Sequence, residues 1–177
     1  MARRDGDVLA LGAYAGTLGA LVRAAKFSGS GRLLDDLGLA LGTGLARAAE
    51  ADANLRRAWL VPVPSHRRRR ARRGPDPSER LARAVVRASA GHRLAPVLRR
   101  ARHGPAQSTL PHTERLANVR GAFVLADAWV SKLPGRRLIL VDDVLTTGAT
   151  VRAAAGPLRA AGAEVVLVLV VAGPSGS

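Results

Sequence analysis

The sequence contains no cysteine, which excludes disulfides and thiolate zinc sites and suits a reducing cytoplasm. Aromatic residues make up only 3% of the chain. The core must therefore be built from Leu, Val and Ala, and the ring platforms that stack single-stranded bases are in short supply. Acid is scarce against base, with 13 Asp and Glu facing 28 Lys and Arg, for a net charge of +15. Lys26 and Lys132 are the only lysines, so the charge is essentially arginine. An arginine-rich composition reflects either a GC-rich genome or a polyanionic partner such as nucleic acid or a phosphorylated small molecule. Long apolar runs are also missing. The longest, Val165 to Ala172, is far short of the roughly 20 residues of a membrane helix. Asp5 and Asp7 interrupt the N-terminal stretch where a signal peptide needs its apolar core. These absences predict a soluble, cytoplasmic protein without membrane insertion.

At 177 residues the chain is about one domain long, read as a single domain over 1–177 with 1–12 and 173–177 frayed. Helical spacing predicts helices over Tyr14–Ala25, Arg32–Ala49 with Leu33, Leu34, Leu37, Leu41 and Leu45 inward, Pro77–Ala90 capped by Asp76 or Ser78, and Thr150–Ala161. Gly156-Pro157 should kink or interrupt the last. Ala58–Val63, Leu94–Leu98, Gly121–Leu125, Arg137–Val141 and Glu164–Ala172 read as strands, and 101–113 as a long loop. Strands alternating with helices predict an α/β fold, a mainly parallel twisted sheet flanked by helices.

The stretch LILVDDVLTTGAT, residues 138–150, carries the chemistry. Asp142 and Asp143 end a strand, and Thr146-Thr147-Gly148-Ala149-Thr150 opens a helix whose free amides and dipole point at one spot. Small side chains admit a phosphate to the backbone. The carboxylates would repel it unless they hold vicinal hydroxyls or Mg²⁺, and a ribose 5-phosphate satisfies both halves. A capping aspartate before a plain turn would account for one acid but not for two in this pattern. His92, His103 and His112 show no metal-ligand spacing and read as surface or loop residues. No hydrolase elbow or Walker motif occurs.

LILVDDVLTTGAT resembles, along its whole length, the thirteen-residue signature of the type I phosphoribosyltransferases. The resemblance implies a site for 5-phosphoribosyl 1-pyrophosphate (PRPP), with Thr146 to Thr150 on the 5-phosphate and Asp142 and Asp143, as the catalytic acids, on the ribose hydroxyls and the metal. Mg²⁺ would arrive on the pyrophosphate. Members acting on 6-oxopurines carry an aspartate where this chain has Thr146, so hypoxanthine-guanine salvage is disfavoured. AWLVPVPSHRRRRARRG, YAGTLGALVRAAKFSGSGRL and QSTLPHTERLANVRGAF are similar to segments of ComF-type proteins of bacterial competence. That implies a pyrophosphate loop at Val63-Pro64-Ser65-His66-Arg67 and a flexible loop over 99–118 with Arg102, Gln107, Arg115 and Asn118 as its polar members, packed with N-terminal helices around the sheet. The four-cysteine zinc ribbon of those proteins has no counterpart, so no zinc is expected. Their Arg-Gly-Phe-Asn-Gln is replaced by Arg73-Gly74-Pro75-Asp76-Pro77, which removes two amides.

The run Arg67–Arg70 with Arg72 and Arg73 fits three uses: a solvated loop, attraction of a polyphosphate, or single-stranded DNA held through its phosphates. The function expected from the resemblance is a ComF-like, PRPP- and Mg²⁺-binding protein acting in DNA uptake. The alternative is an active phosphoribosyltransferase of purine or pyrimidine salvage or biosynthesis. The expected partners are PRPP or a ribose 5-phosphate nucleotide, single-stranded DNA and a competence helicase, with a second copy of the chain as a further candidate.

Overall fold

A computed structural model of the chain describes residues 2–27, 31–65, 76–101 and 121–173. Six strands form the main sheet: β1 (Arg3–Asp5), β2 (Val8–Ala13), β3 (Trp59–Pro62), β4 (Arg93–Leu94), β7 (Arg137–Val144) and β8 (Glu164–Gly173), in the order β1-β2-β8-β7-β3-β4. Every neighbour pair is parallel except β1 with β2. A separate hairpin joins β5 (Leu98–Arg100) to β6 (Phe123–Leu125). The helices are α1 (Gly16–Phe27), α2 (Gly31–Ala51), α3 (Pro77–Ala88), α4 (Asp127–Val130) and α5 (Ala149–Ala160).

Strand alternation splits the core in two. Ile139 and Val141 of β7 point with Leu60 towards α1, α2 and α3, where Leu41, Leu45 and Leu81 complete one cluster. Leu138 and Leu140 point the other way, with Trp59 and Val61, into a cluster closed by Leu158 of α5 and Phe123 of β6. A sheet buried on both faces needs near-continuous apolar strands. That is why the α/β reading was available from the sequence, and the mainly parallel sheet flanked by helices bears it out.

Some expectations are corrected. Residues 1–12 do not fray as a unit: Arg3–Asp5 and Val8–Ala13 pair across a turn at Gly6, and β2 docks on β8. Leu94–Leu98 is not one strand, because Ala95-Pro96-Val97 separates β4 from β5. Arg99 and Arg100, expected within a flexible loop, belong to the β5–β6 hairpin. Gly156-Pro157 does not break α5, which runs to Ala160. The proline sits in the last turns and deletes a single bond, while Val151, Ala154, Ala155 and Leu158 keep an unbroken buried stripe. His92 lies in a loop, one of the two places expected, but it is buried. Its Nε2 lies 2.9 Å from the Leu55 carbonyl and its Nδ1 3.3 Å from that of Ser89, so the ring sits between two acceptors. The predicted Asp76 cap holds: its side chain accepts from the Ser78 amide.

Helices α2 and α3 cross at glycines. A Cβ on Gly42 would lie 2.7 Å from both the Ala88 Cβ and the Val85 carbonyl oxygen, and one on Gly38 would lie 2.5 Å from the Ala84 Cβ. Both neighbours belong to a packed helix and cannot swing aside. Gly42→Ala should therefore lower the unfolding free energy by about 2 kcal/mol, the usual scale of overpacking, although alanine gains about 1 kcal/mol of helix propensity. Urea denaturation reads this directly, and a stabilised variant would mean that the helices are free to separate. On the same interface Arg80 grips Asp35 with Nε to Oδ1 at 3.1 Å and a terminal nitrogen to Oδ2 at 2.7 Å. That hydrogen-bonded fork holds the Asp35 carboxyl below its ordinary pKa.

Candidate functional site

The loops that follow the carboxyl ends of β3 and β7 come together on one edge of the sheet, where open α/β sheets take their ligands. Strand β7 is longer than the expected Arg137–Val141. It pairs with β8 through Asp142↔Val170 and Val144↔Ala172, so both aspartates belong to the strand, half-buried. Successive strand residues leave on opposite faces, and the carboxylates therefore approach the strand end from its two sides. Asp142 Oδ1 accepts the Asp143 amide at 2.8 Å.

Beyond them the chain bends through Thr146, Thr147 and Gly148 into α5. Gly148 is the N-cap with φ of 72°, a left-handed turn that a residue with a Cβ rarely makes. It has no side chain to cap the helix, and among the described residues the Ala149 amide donates only a long 3.5 Å hydrogen bond to Thr147 Oγ1. The amides of Ala149 and Thr150 thus face the end of β7 beside two exposed threonines, the arrangement an anion requires.

Val63 continues β3, its amide donating to the Val141 carbonyl at 2.9 Å. Pro62 pairs with Val141, so the turn Val63-Pro64-Ser65 leaves the sheet next to Asp142. Ser65 is held by Asp76, whose Oδ2 accepts from both its amide and its hydroxyl at 2.9 Å. Asp76 Oδ1 takes the Ser78 amide at 3.2 Å. A cleft of about 320 Å³ opens here, bounded by Pro64, Ser65, Asp76, Glu79 and Arg100 among others.

Arg100 is the residue that sequence reasoning passed over. Its Nε donates to the Pro64 carbonyl at 3.1 Å, and its guanidinium packs 4.9 Å from the Phe123 ring centre. Burial pulls its pKa down from the ordinary value, and the charges of Asp142 and Asp76 push it back up. A cation kept partly dry between the two loops meets a phosphate with little water to displace. No short motif announces it, since its partners lie far away in the sequence. The clue was a pair of arginines, Arg99-Arg100, after Leu98 at the edge of the expected loop.

The structure thus brings together Val63, Pro64, Ser65, Asp142, Asp143 and Thr146 to Thr150. His66, Arg67 and the rest of the arginine run, with Arg102, Gln107, Arg115 and Asn118, lie outside the described residues. Among the described residues no group of three or more His, Asp and Glu could hold a metal ion by itself, and no helix is long and apolar enough to cross a membrane.

The carboxyl edge of the parallel sheet thus carries an acid pair, an open helix N-terminus and a partly buried cation. Residues 71–177 match the Phosphoribosyl transferase domain family, and the chain belongs to that family. Its ComF-type resemblance is borne out by Competence protein F of Haemophilus influenzae, which is 36% identical over 111 residues, covering 62% of this chain and 47% of that protein. Adenine phosphoribosyltransferase of Sphingopyxis alaskensis is 54% identical over 39 residues, 22% of this chain and 21% of that one. The chain therefore spans less than half the length of either curated relative. A solved structure titled as the allosteric regulatory enzyme of purine biosynthesis overlaps 77% of this chain and 25% of its own at 23% identity, with a TM-score of 0.49.

Proposed function

We propose that this edge of the sheet binds PRPP as its magnesium chelate, and that the protein uses this ligand in DNA uptake. The observation that carries the reading is Asp142, at the end of β7 and within electrostatic reach of Arg100, on the strand whose next turn opens α5 at Gly148 without a side-chain cap. Asp142 and Asp143 would accept from the ribose hydroxyls, and Thr146 to Thr150 with their amides would seat the 5-phosphate. The Val63–Ser65 turn and Arg100 would receive the pyrophosphate. Two half-buried carboxylates are hard oxygen donors suited to Mg²⁺, which keeps much of its water and binds through one or two carboxylates plus phosphates. The ion would come with the ligand and neutralise charge on the pyrophosphate. The similarity to Competence protein F supports the role in competence.

The shared stretch with an adenine phosphoribosyltransferase favours a second reading, phosphoribosyl transfer to a nucleobase. There the acceptor would form a bond to C1 of the ribose as the C1–O bond to pyrophosphate breaks. The acceptor's proton would have no carboxylate at Thr146 to receive it.

Calorimetric titration of PRPP with Mg²⁺ tests it. Saturable binding at one site, displaced by ribose 5-phosphate, is expected, and absence of heat would overturn the reading. Arg100→Met should weaken PRPP about tenfold, the worth of one charged hydrogen-bonding partner, and leave ribose 5-phosphate unchanged. If both ligands lose affinity equally, Arg100 does not serve the pyrophosphate end. For the competence role, Asp142→Asn/Asp143→Asn in a transformable host should lower transformation frequency with protein level maintained. Unchanged frequency would separate the site from DNA uptake.

A further inference from the structure

The opposite edge of the sheet, at the amino ends of β3, β4 and β7, carries a second organised set of charges. Trp59 opens β3 and is only 7% exposed. The Arg93 guanidinium lies 4.7 Å from its ring centre and that of Arg136 lies 4.9 Å from it. Trp129 of α4 meets Trp59 edge-on, with centroids 5.8 Å apart and planes at 75°. The Lys132 ammonium lies 5.3 Å from the Trp129 centroid. Two guanidiniums and an ammonium are thus gathered on one pair of indoles. Among the described residues none of the three has a carboxylate partner. The acid that the sheet brings beside Arg136 is Glu164, whose amide donates to the Arg136 carbonyl at 2.8 Å, and its exposed side chain pairs with none of them.

Sequence pairing explains the cluster. Trp59 is in register with Arg93 on one side and with Leu138 on the other, so the residues that precede β7 fall beside the ring. Cation–π contact fixes side chains that are otherwise costly to order, since an arginine or lysine loses up to about 2 kcal/mol of rotamer freedom when held. The rings are largely engaged in doing so: Trp59 is buried, and Trp129 is half-buried with an ammonium over it, which is a poor stacking platform for a nucleobase. What remains accessible is guanidinium edge, which matches a carboxylate in two-pronged fashion, together with Val130, 45% exposed beside Trp129. Arginine is among the residues that carry protein-binding hot spots, and two are held here in place, with an exposed valine in the chain segment between Trp129 and Lys132.

We propose that this edge docks an acidic segment of a partner protein, its carboxylates on Arg93, Arg136 and Lys132 and an apolar residue on Val130. It is remote from Asp142 and works independently of PRPP. The test uses a labelled peptide of alternating glutamate and leucine, with oligothymidylate as the second probe. Arg93→Met/Arg136→Met keeps apolar stems over Trp59 while removing both charges. It should weaken the peptide about tenfold and oligothymidylate by less than about twofold, with the heat of PRPP binding unchanged as proof of folding. Val130→Asp, which opposes an acidic ligand and empties the apolar contact, should weaken the peptide as well. Unchanged peptide affinity in either variant overturns the proposal. An equal loss for both probes in the arginine variant also overturns it, and makes the edge a phosphate-binding surface instead.

Discussion

Asp142→Asn/Asp143→Asn is expected to weaken PRPP binding by about a hundredfold or more, with little change in thermal stability. Each carboxylate that accepts from a ribose hydroxyl contributes roughly 1.5–3 kcal/mol as a charged hydrogen bond. Two losses therefore compound to at least about 3 kcal/mol, or two decades in affinity. Asparagine preserves volume, and its amide oxygen can still take the Asp143 amide proton that Asp142 Oδ1 accepts at 2.8 Å, so the strand end need not rearrange. Two neighbouring acids repel each other, which offsets what Arg100 loses when Asp142 becomes neutral. Binding equal to that of the parent would sink the assignment of the acids to the ribose. A melting temperature that collapses with affinity would instead make them structural.

The acid pair could be read from the sequence because everything it needs is contiguous. Four apolar residues make a buried strand, two acids end it, and small residues open the next helix, so one stretch of LILVDDVLTTGAT holds both site and scaffold. The two faces of the sheet were legible for a similar reason, since continuous Val and Leu runs in β7 and β8 have few other places to go. Residues whose role depends on distant partners were not legible. Arg100 looks like any arginine beside an expected loop until β5 pairs with β6 and sets its guanidinium against the Pro64 carbonyl. His92 is inside because the turn at Leu55 presents a carbonyl that needs a donor, which no spacing rule foretells. The hairpin of β1 and β2 did leave a signal. Asp5-Gly6-Asp7 between short polar and apolar runs is turn chemistry.

Asp76 gives the sharpest test of how the site is held. Its carboxylate is 4% exposed and is fully engaged by the protein. Oδ2 accepts from the Ser65 amide and hydroxyl, and Oδ1 from the Ser78 amide, with the Ser78 hydroxyl 2.7 Å away. Asp76→Ala removes a helix cap, at about 1 kcal/mol, and a charged tether on the Ser65 turn, at about 2 kcal/mol. A loss near 3 kcal/mol of unfolding free energy is therefore expected by urea titration, roughly the sum of the two. Asp76→Asn restores the amide of the ComF-type segment and separates two roles by sign. It keeps one acceptor oxygen but turns an amide group towards donors on the other side, loosening either the Ser65 turn or the cap. If Asp76 acts only by positioning that turn, Asp76→Asn weakens PRPP binding even though it deletes a negative charge beside the pyrophosphate position. If the carboxylate instead faced the ligand, removing its charge would relieve repulsion and tighten binding. Weaker binding in the asparagine variant than in the parent supports the tether, and tighter binding refutes it.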